Sequence, residues 1–181
     1  MSRLPLIERQ SAPASVRPIL DAIHGAFGVT PNMFRAVANS PAALASMWGA
    51  FGALGGGTLG AKLGEQIAVA VADRNACDYC LAAHTALGRA AGVSVQDMHA
   101  AQAGTSNDPA TAAALRFALK LVDARGQASG EDVAAVRAAD FSDEAIVEIV
   151  AHVALNLFTN YVNVAFAVPV DFEPVALRKA A

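Results

Sequence analysis

The sequence predicts an all-α protein built as a single domain. Of its 181 residues, 55% are hydrophobic and 16% are charged, which is enough apolar material for one substantial core. The apolar residues recur at helical spacing, and serine, aspartate, proline and glycine stand where helices begin and end. No stretch alternates apolar and polar residues over the length of a strand.

Each helix follows from these start and stop signals. Serine or aspartate side chains cap helix starts, proline is tolerated in the first turn, and glycine ends a helix. Four helices have predicted bounds, namely 14–27, 60–74, 94–103 and 109–125. A short helix follows Pro31, and another follows Ser40-Pro41 and ends at the glycines 55–57. The cysteine helix ends at Gly92, and the last two helices are capped by Ser129 and Ser142.

The three glycines at 55–57 are the best linker signal in the chain. They divide the predicted domain into an N-terminal helical arm, residues 1–57, and a core, residues 58–181, that carries the cysteine helix. The segment 149–170 in that core contains no charged residue and is long enough to span a bilayer. However, polar residues recur along one side of it, so we predict a buried helix. These polar residues are His152, Asn156, Asn160 and Asn163, which are expected to stabilise packing.

Charge and composition exclude several function classes. A formal charge of −3 and a pI near 5.7 provide no basic surface for nucleic acid or for a membrane. No glycine-rich phosphate loop is present, so no nucleotide or flavin cofactor is expected. Charged residues and proline interrupt residues 1–10, which argues against a leader peptide and favours the cytoplasm. A reducing compartment suits a catalytic dithiol.

The two cysteines, Cys77 and Cys80, form a C-x-x-C motif, with His84 four residues after the second and Glu65 twelve residues before the first. If one helix carries all of Cys77, Cys80 and His84, they share a face, and Cys77 lies in its first turn. A thiolate is favoured at both positions, by the helix N-terminus at Cys77 and by His84 at Cys80. Glu65 would orient His84 and pass protons if its helix folds back beside the cysteine helix.

Two other interpretations of the motif were considered. Buried cysteines are often inert, but a C-x-x-C pair with a histidine on the same face is unusual in a chain that has no other cysteine. A structural zinc ion needs four ligands, whereas only three are close here and His24, His99 and His152 each stand alone. A c-type haem needs a histidine where this chain has Leu81. We therefore expect no metal and no cofactor.

The pattern E-x11-C-x2-C-x3-H, from Glu65 to His84, resembles the active-site segment of the carboxymuconolactone decarboxylase and alkyl hydroperoxidase D (AhpD) superfamily. Further segments resemble its peroxidase-related branch. They are Thr30–Arg35 with Ser40-Pro41, Asn156–Asn163, and Val170-Asp171-Phe172. The resemblance implies an AhpD-like helical fold that is oligomeric, as a dimer, trimer or hexamer. True lactone decarboxylases of the superfamily generally lack the C-x-x-C pair.

The resemblance also implies roles for individual residues. Cys80 would attack a peroxide, Cys77 would resolve the product as a disulfide, and Glu65 with His84 would relay protons. The best-known members carry a histidine between the cysteines, where this chain has Tyr79, so Tyr79 is expected only as a pocket residue. His152 is expected at the pocket because its helix would pass near the dithiol.

The predicted function is a thiol-dependent peroxidase or disulfide oxidoreductase that reduces alkyl hydroperoxides. Its partners would be the peroxide and a dithiol, thioredoxin-like or lipoyl reductant. Two alternatives remain at this stage: acid–base chemistry by Glu65 and His84 on a small carbonyl or lactone substrate, and a non-enzymatic helical module with a structural metal.

Overall fold

A computed structural model describes residues 2–178, and within that range the chain is all-helical without strands, with 67% of it in helices. A 3₁₀ turn, Arg9–Ser11, precedes the first α-helix. The helices are α1 (Arg17–Phe27), α2 (Asn32–Val37), α3 (Pro41–Gly55), α4 (Gly60–Arg74), α5 (Asp78–Ala90), α6 (Val95–Gln102), α7 (Pro109–Asp123), α8 (Gly130–Arg137) and α9 (Asp143–Phe166). The prediction of an all-α chain is confirmed.

Most helix starts are the ones that the capping residues predict. In each case a side-chain oxygen of the cap accepts a hydrogen bond from the backbone N–H three residues later, a contact that contributes about 1 kcal/mol. The capping residues are Ser40, Ser94, Asp108, Ser129 and Ser142. The predicted end of α1 is confirmed too, since Gly28 adopts the left-handed conformation there with a φ of 74°.

Two predicted helix starts are wrong. Helix α1 begins at Arg17 rather than at residue 14, because Pro18 lacks a backbone N–H and is tolerated only in the first turn. Helix α5 begins at Asp78, so Cys77 is its N-cap residue with extended backbone and not a member of its first turn. The dithiol and the histidine therefore do not share one helix face, and Cys77 reaches the others from the preceding turn.

Helix α4 occupies the centre of the bundle, where it packs against α5, α6, α7 and α9. Its residues from Gln66 to Ala72 are all buried, and Ile67 and Val71 are completely enclosed. Each such side chain contributes roughly 1.5–3 kcal/mol through removal of apolar surface from water. Glu65 precedes this buried stretch on the same helix and is therefore held in a fixed position.

Helix α9 has two unlike faces. Its buried face includes Asn156, Asn160 and Asn163, so the prediction of a buried polar side is confirmed. On its outer face Val147 and Tyr161 are 67% and 62% exposed. This helix is long and apolar enough to cross a membrane by length and composition, and half of its most apolar window is buried inside the bundle.

The loop before α4 is tied to α9. The Glu148 carboxylate accepts hydrogen bonds from the backbone N–H groups of Thr58 (2.7 Å) and Leu59 (3.1 Å). An anion from a neighbouring helix thus satisfies donors at the N-terminus of α4. Buried residues before and after position 57 belong to one hydrophobic cluster. The division into an arm, 1–57, and a core, 58–181, stays a prediction.

The segment after α9 crosses the bundle without regular secondary structure. Asp171 accepts a hydrogen bond from the backbone N–H of Asn32 at 2.8 Å, which attaches the segment to α2. Further along, the Gln102 side chain donates to the carbonyl of Ala176 at 3.0 Å. Between these contacts the ring of Phe172 packs edge-on against Tyr79, with centroids 5.7 Å apart.

The turn between α4 and α5 contains a strained alanine. Ala76 has a φ of 51°, a left-handed conformation that costs about 1 kcal/mol for a residue with a Cβ. Because its side chain is exposed, removing the methyl group sacrifices little packing. We therefore expect Ala76→Gly to raise the free energy of unfolding by about 0.5–1 kcal/mol, measured by urea denaturation.

Ala91→Gly is the matched control. Ala91 follows α5 with a φ of −73°, where glycine relieves no strain and only adds freedom to the unfolded chain. The control variant should be less stable than the parent. A loss of stability in both variants would show that the left-handed turn is not strained.

Candidate active site

Cys77 joins the two helices that build the site. Its backbone N–H donates to the carbonyl of Ala72 at 2.9 Å and so satisfies the C-terminal end of α4. Its own carbonyl accepts from the N–H of Leu81 at 3.0 Å, which begins α5. The first cysteine is thus fixed by backbone hydrogen bonds on both sides. The turn that contains it sends α5 back along α4.

The two cysteines lie 3.2 Å apart, and both are free. Cys77 is completely buried and Cys80 is 2% exposed. The Sγ of Cys77 accepts a hydrogen bond from the backbone N–H of Cys80 at 3.4 Å. The pair therefore stands at the N-terminus of α5, where unpaired N–H groups favour negative charge.

His84 and Glu65 meet beside the dithiol. Nδ1 of His84 lies 2.7 Å from Oε2 of Glu65, so α4 and α5 bring these side chains together as the sequence predicts. Burial alone would lower the pKa of His84, but the charge and the hydrogen bond of Glu65 outweigh it and raise that pKa above its ordinary value. The imidazole can therefore hold a proton near neutral pH.

Polar side chains of α9 contact the second cysteine. The Nδ2 amide of Asn163 donates to Sγ of Cys80 at 3.1 Å, and the hydroxyl of Thr159 lies 3.9 Å from the same sulfur. Asn160 is completely buried next to them, and its Oδ1 accepts from the side chain of Asn75 at 2.9 Å. The amide stripe thus carries a donor to the thiol in addition to packing contacts.

These contacts favour a thiolate on Cys80. A hydrogen bond from Cys77 lowers the pKa of Cys80 to about 6, and the positive charge of His84 and the nearby amides act in the same direction against burial. The same hydrogen bond, together with burial, raises the pKa of the Cys77 thiol. The sequence left the choice between the two sulfurs open on geometry alone. The contacts favour Cys80 as the nucleophile and Cys77 as its proton-bearing neighbour.

Two cavities of different character border the site. An apolar cavity of about 30 Å³ lies against Cys80. Its walls are Phe27, Pro31, Met33, Phe34, Phe51, Tyr79, Cys80, Ala83, His84, Leu87 and Phe172. A more polar cavity of about 170 Å³ lies against Glu65, His152 and Asn156. His84 borders both cavities, and Cys77 borders neither.

Tyr79 and His152 each lie at one of these cavities, as pocket residues would. The Tyr79 hydroxyl accepts a hydrogen bond from the backbone N–H of Met33 at 3.2 Å, and burial raises its pKa. Tyr79 is therefore neutral, and its hydroxyl attaches α2 to the dithiol helix. A residue that gains or loses a proton between the cysteines would have a different role. His152 lines the polar cavity together with Glu65.

In the described range, residues 2–178, no group of three or more histidine, cysteine, aspartate or glutamate side chains is arranged to hold a metal ion.

Sequence reasoning underestimated the asparagines of α9. It predicted a buried stripe and assigned it to packing, whereas Asn163 contacts the sulfur of Cys80 directly. The sequence contained one indication of this contact, the amides at helical spacing in a charge-free segment. However, Cys80 lies 83 positions before Asn163, and the distance between the two side chains depends on how α9 crosses α5. Phe172 was similarly known only as part of a motif and proves to be a wall of the apolar cavity.

The fold and the site define a helical dithiol protein in which a glutamate–histidine pair adjoins a C-x-x-C motif. The sequence profile of the carboxymuconolactone decarboxylase family matches residues 28–124. The chain belongs to this family, and within the wider superfamily to the AhpD-like, peroxidase-related branch.

Several solved structures share the fold. An uncharacterized peroxidase-related protein from Silicibacter sp. TM1040 is 25% identical, with a TM-score of 0.80 over 97% of this chain and 92% of its own. An AhpD-core protein from Ralstonia eutropha JMP134, also described as peroxidase-related, is 26% identical, with a TM-score of 0.83 over 94% and 92%.

The debrominase Bmp8, in complex with 2,3,4-tribromopyrrole, is 22% identical, with a TM-score of 0.79 over 94% of both chains. At that identity the likeness shows the fold alone. A search of functionally curated proteins gave no significant match.

The contact between Asn163 and Cys80 makes a prediction for the ionisation of the thiol. A hydrogen bond to a charged group contributes about 1.5–3 kcal/mol, so Asn163→Ala should raise the pKa of Cys80 by roughly one to two units. In the parent, alkylation by iodoacetamide should increase with pH around a midpoint near 6, because only the thiolate reacts. In the variant the midpoint should move to higher pH and the rate at pH 7 should fall.

Thr159→Val is the matched control, since its hydroxyl lies 3.9 Å from the sulfur and also bonds the carbonyl of Asn156. A much smaller shift is expected for it. Equal midpoints in the parent and in Asn163→Ala would contradict a role of the amide in stabilising the thiolate.

Proposed function

We propose that this protein is a thiol-dependent peroxidase that reduces organic hydroperoxides with its Cys77–Cys80 dithiol. The observation that carries the proposal is the position of Cys80. Cys80 borders the apolar cavity, its sulfur accepts a hydrogen bond from Asn163, and Cys77 lies 3.2 Å away. A nucleophile, its activating groups and its resolving partner are thus close together.

In the first step the Cys80 thiolate attacks one peroxide oxygen. The S–O bond forms while the O–O bond breaks, and the leaving alkoxide takes a proton to become an alcohol. His84, whose pKa is raised and whose charge acts on Cys80, is the proposed proton donor. The sulfur is oxidised to a sulfenic acid and the peroxide is reduced.

In the second step the Cys77 sulfur attacks the sulfenic acid, and water leaves. The two sulfurs must approach to the length of a disulfide bond, about 2.05 Å. Because Cys77 precedes α5 and Cys80 lies in its first turn, this movement needs no rearrangement of the helix. A dithiol, either a thioredoxin-like protein or a lipoyl group, would then reduce the disulfide by exchange.

The apolar walls favour an organic hydroperoxide over hydrogen peroxide. The aromatic rings of Phe34, Phe51 and Phe172 surround the space beside Cys80. A cavity of 30 Å³ holds little more than one water molecule, so a larger substrate has to displace these side chains. The similarity to two peroxidase-related proteins, at 25% and 26% identity, supports peroxidase chemistry in general.

A second candidate function is favoured by the polar cavity. Glu65 and His84 border this 170 Å³ space, whereas neither cysteine does. Acid–base catalysis on a small carbonyl or lactone substrate could take place there without a thiol. The two candidates differ in their need for Cys80. The proposed setting in either case is the cytoplasm.

Self-association is proposed for the outer face of α9. Val147, Val150, Tyr161 and Val164 are large apolar residues that are exposed on this single helix. Two of them, Val150 and Tyr161, border a groove against the end of α7, which includes Leu121 and Val122. Exposed apolar surfaces of this kind mark interaction sites, and a second copy of the chain would cover the face in a homo-oligomer.

Substitution of the cysteines tests the peroxidase function. The pre-reduced parent should lose two thiols per chain when mixed with cumene hydroperoxide in a stopped-flow experiment. Cys80→Ser should abolish the reaction, whereas Cys77→Ser should still react and stop at a sulfenic acid that dimedone labels on Cys80. Cys77→Ser is the matched control, because it removes a thiol from the same pair. Equal peroxide consumption by Cys80→Ser and the parent would refute the proposal and leave the acid–base function.

A charge on the α9 face tests the interface. Tyr161→Glu should reduce the assembled fraction of the protein in sedimentation velocity experiments, because burying an unpaired carboxylate is unfavourable. Gln96→Glu adds the same charge at an exposed position of α6 and should leave the assembly unchanged. If Tyr161→Glu and Gln96→Glu both sediment like the parent, self-association takes place on another surface.

A further inference from the structure

The polar cavity beside Glu65 has a task that the dithiol chemistry requires. The reaction of a Cys80 thiolate and a Cys77 thiol with one hydroperoxide gives a disulfide, an alcohol and water, and it consumes one proton. Reduction of the disulfide by a dithiol, back to the thiolate and the thiol, releases one proton. If His84 supplies the first proton, the site must take up one proton and return one in each cycle. The cavity at Cys80 is almost entirely apolar, so protons have no polar route through it.

Resting on the proposed function, we infer that His152 of α9 is the solvent-side member of a proton path that runs through the polar cavity to Glu65 and then to His84. His152 acts through Glu65 and does not touch the sulfur. It is half-buried at the cavity wall, so it faces both the solvent and the interior.

The packing of His152 against α4 is the first support. A methyl group at Gly64 would lie 3.1 Å from Cε1 of the His152 ring. A glycine inside a helix costs roughly 0.5–1 kcal/mol relative to alanine. At position 64 the glycine leaves room for the His152 imidazole, directly beside Glu65 in the chain. The ring is therefore seated close to the relay.

Asn156 is the second support. It is 4% exposed, and its Nδ2 donates to the backbone carbonyl of His152 at 2.9 Å, which fixes the orientation of the amide. Its Oδ1 is buried and has no hydrogen-bond partner in the protein. Such an atom calls for a donor from a bound molecule, and a polar cavity of about 170 Å³ has room for several waters.

The charges around His152 suit proton transfer. Glu65 from α4, His84 from α5 and Glu148 from its own helix are the titratable groups that act on it, and α3 contributes only apolar residues to the cavity. Burial lowers the pKa of His152, against the opposing effects of Glu148 and Glu65. The ring is thus neutral at pH 7, and it can accept a proton from solvent and pass it inward.

A pH-jump experiment tests the path without using a peroxide. After a rapid change of pH, the appearance of the Cys80 thiolate is followed by its ultraviolet absorbance in the reduced protein. His152→Gln should slow the approach to equilibrium about tenfold or more, because a positioned proton carrier is lost. Gly64→Ala should slow it by less, because the added methyl group shifts the ring by only a few tenths of an ångström. Imidazole added to His152→Gln should restore the rate.

The controls separate a proton path from a packing effect. His99→Gln changes an exposed histidine of α6 and should leave the relaxation rate unchanged. If His152→Gln relaxes slowly and imidazole does not restore the rate, His152 has a structural role only. A relaxation rate of His152→Gln equal to that of the parent would also overturn the inference. Failure of the parent to reduce cumene hydroperoxide would overturn the proposed function instead, whatever the pH jump shows.

Discussion

The hydrogen bond from the backbone N–H of Cys77 to the carbonyl of Ala72 is the contact on which the site depends. It ends α4 at the point where the chain must reverse, and it holds Cys77 ready to begin α5. Because α5 then runs back along α4, His84 reaches Glu65 at 2.7 Å. The acid–base pair and the dithiol are therefore consequences of one helix reversal. The strained backbone of Ala76 is the local cost of making that reversal so short.

Local signals in the sequence predicted most of the helices correctly. Serine and aspartate caps depend on hydrogen bonds that span only three residues, so Ser94 or Ser142 specifies a helix start whatever surrounds it. The two errors also have local causes. Pro18 restricts the start of α1, and the extended conformation of Cys77 moves the start of α5 by one residue. This small change decides that Cys77 approaches the site from a turn.

The site was predictable where its members lie close together in the sequence. Cys77, Cys80 and His84 are separated by a few residues, and Glu65 is one helix away, so spacing alone placed them together. Asn163 could not be assigned in this way, because its contact with Cys80 depends on the crossing of α5 and α9. The cavity next to His152 depends on the same crossing and on the missing side chain of Gly64. Periodicity shows which residues share a face, but not what that face meets.

The segment after α9 supplies Phe172 to the cavity beside Cys80 while contributing nothing to the dithiol or to the glutamate–histidine pair. The reacting groups belong to buried helices, where most substitutions cost stability. Part of the cavity wall belongs to the segment after α9. Two hydrogen bonds hold this segment, one from the backbone N–H of Asn32 to Asp171 and one from the Gln102 side chain to the carbonyl of Ala176. A change in this stretch therefore alters a wall of the cavity beside Cys80 without altering the helices that carry the dithiol and the glutamate–histidine pair.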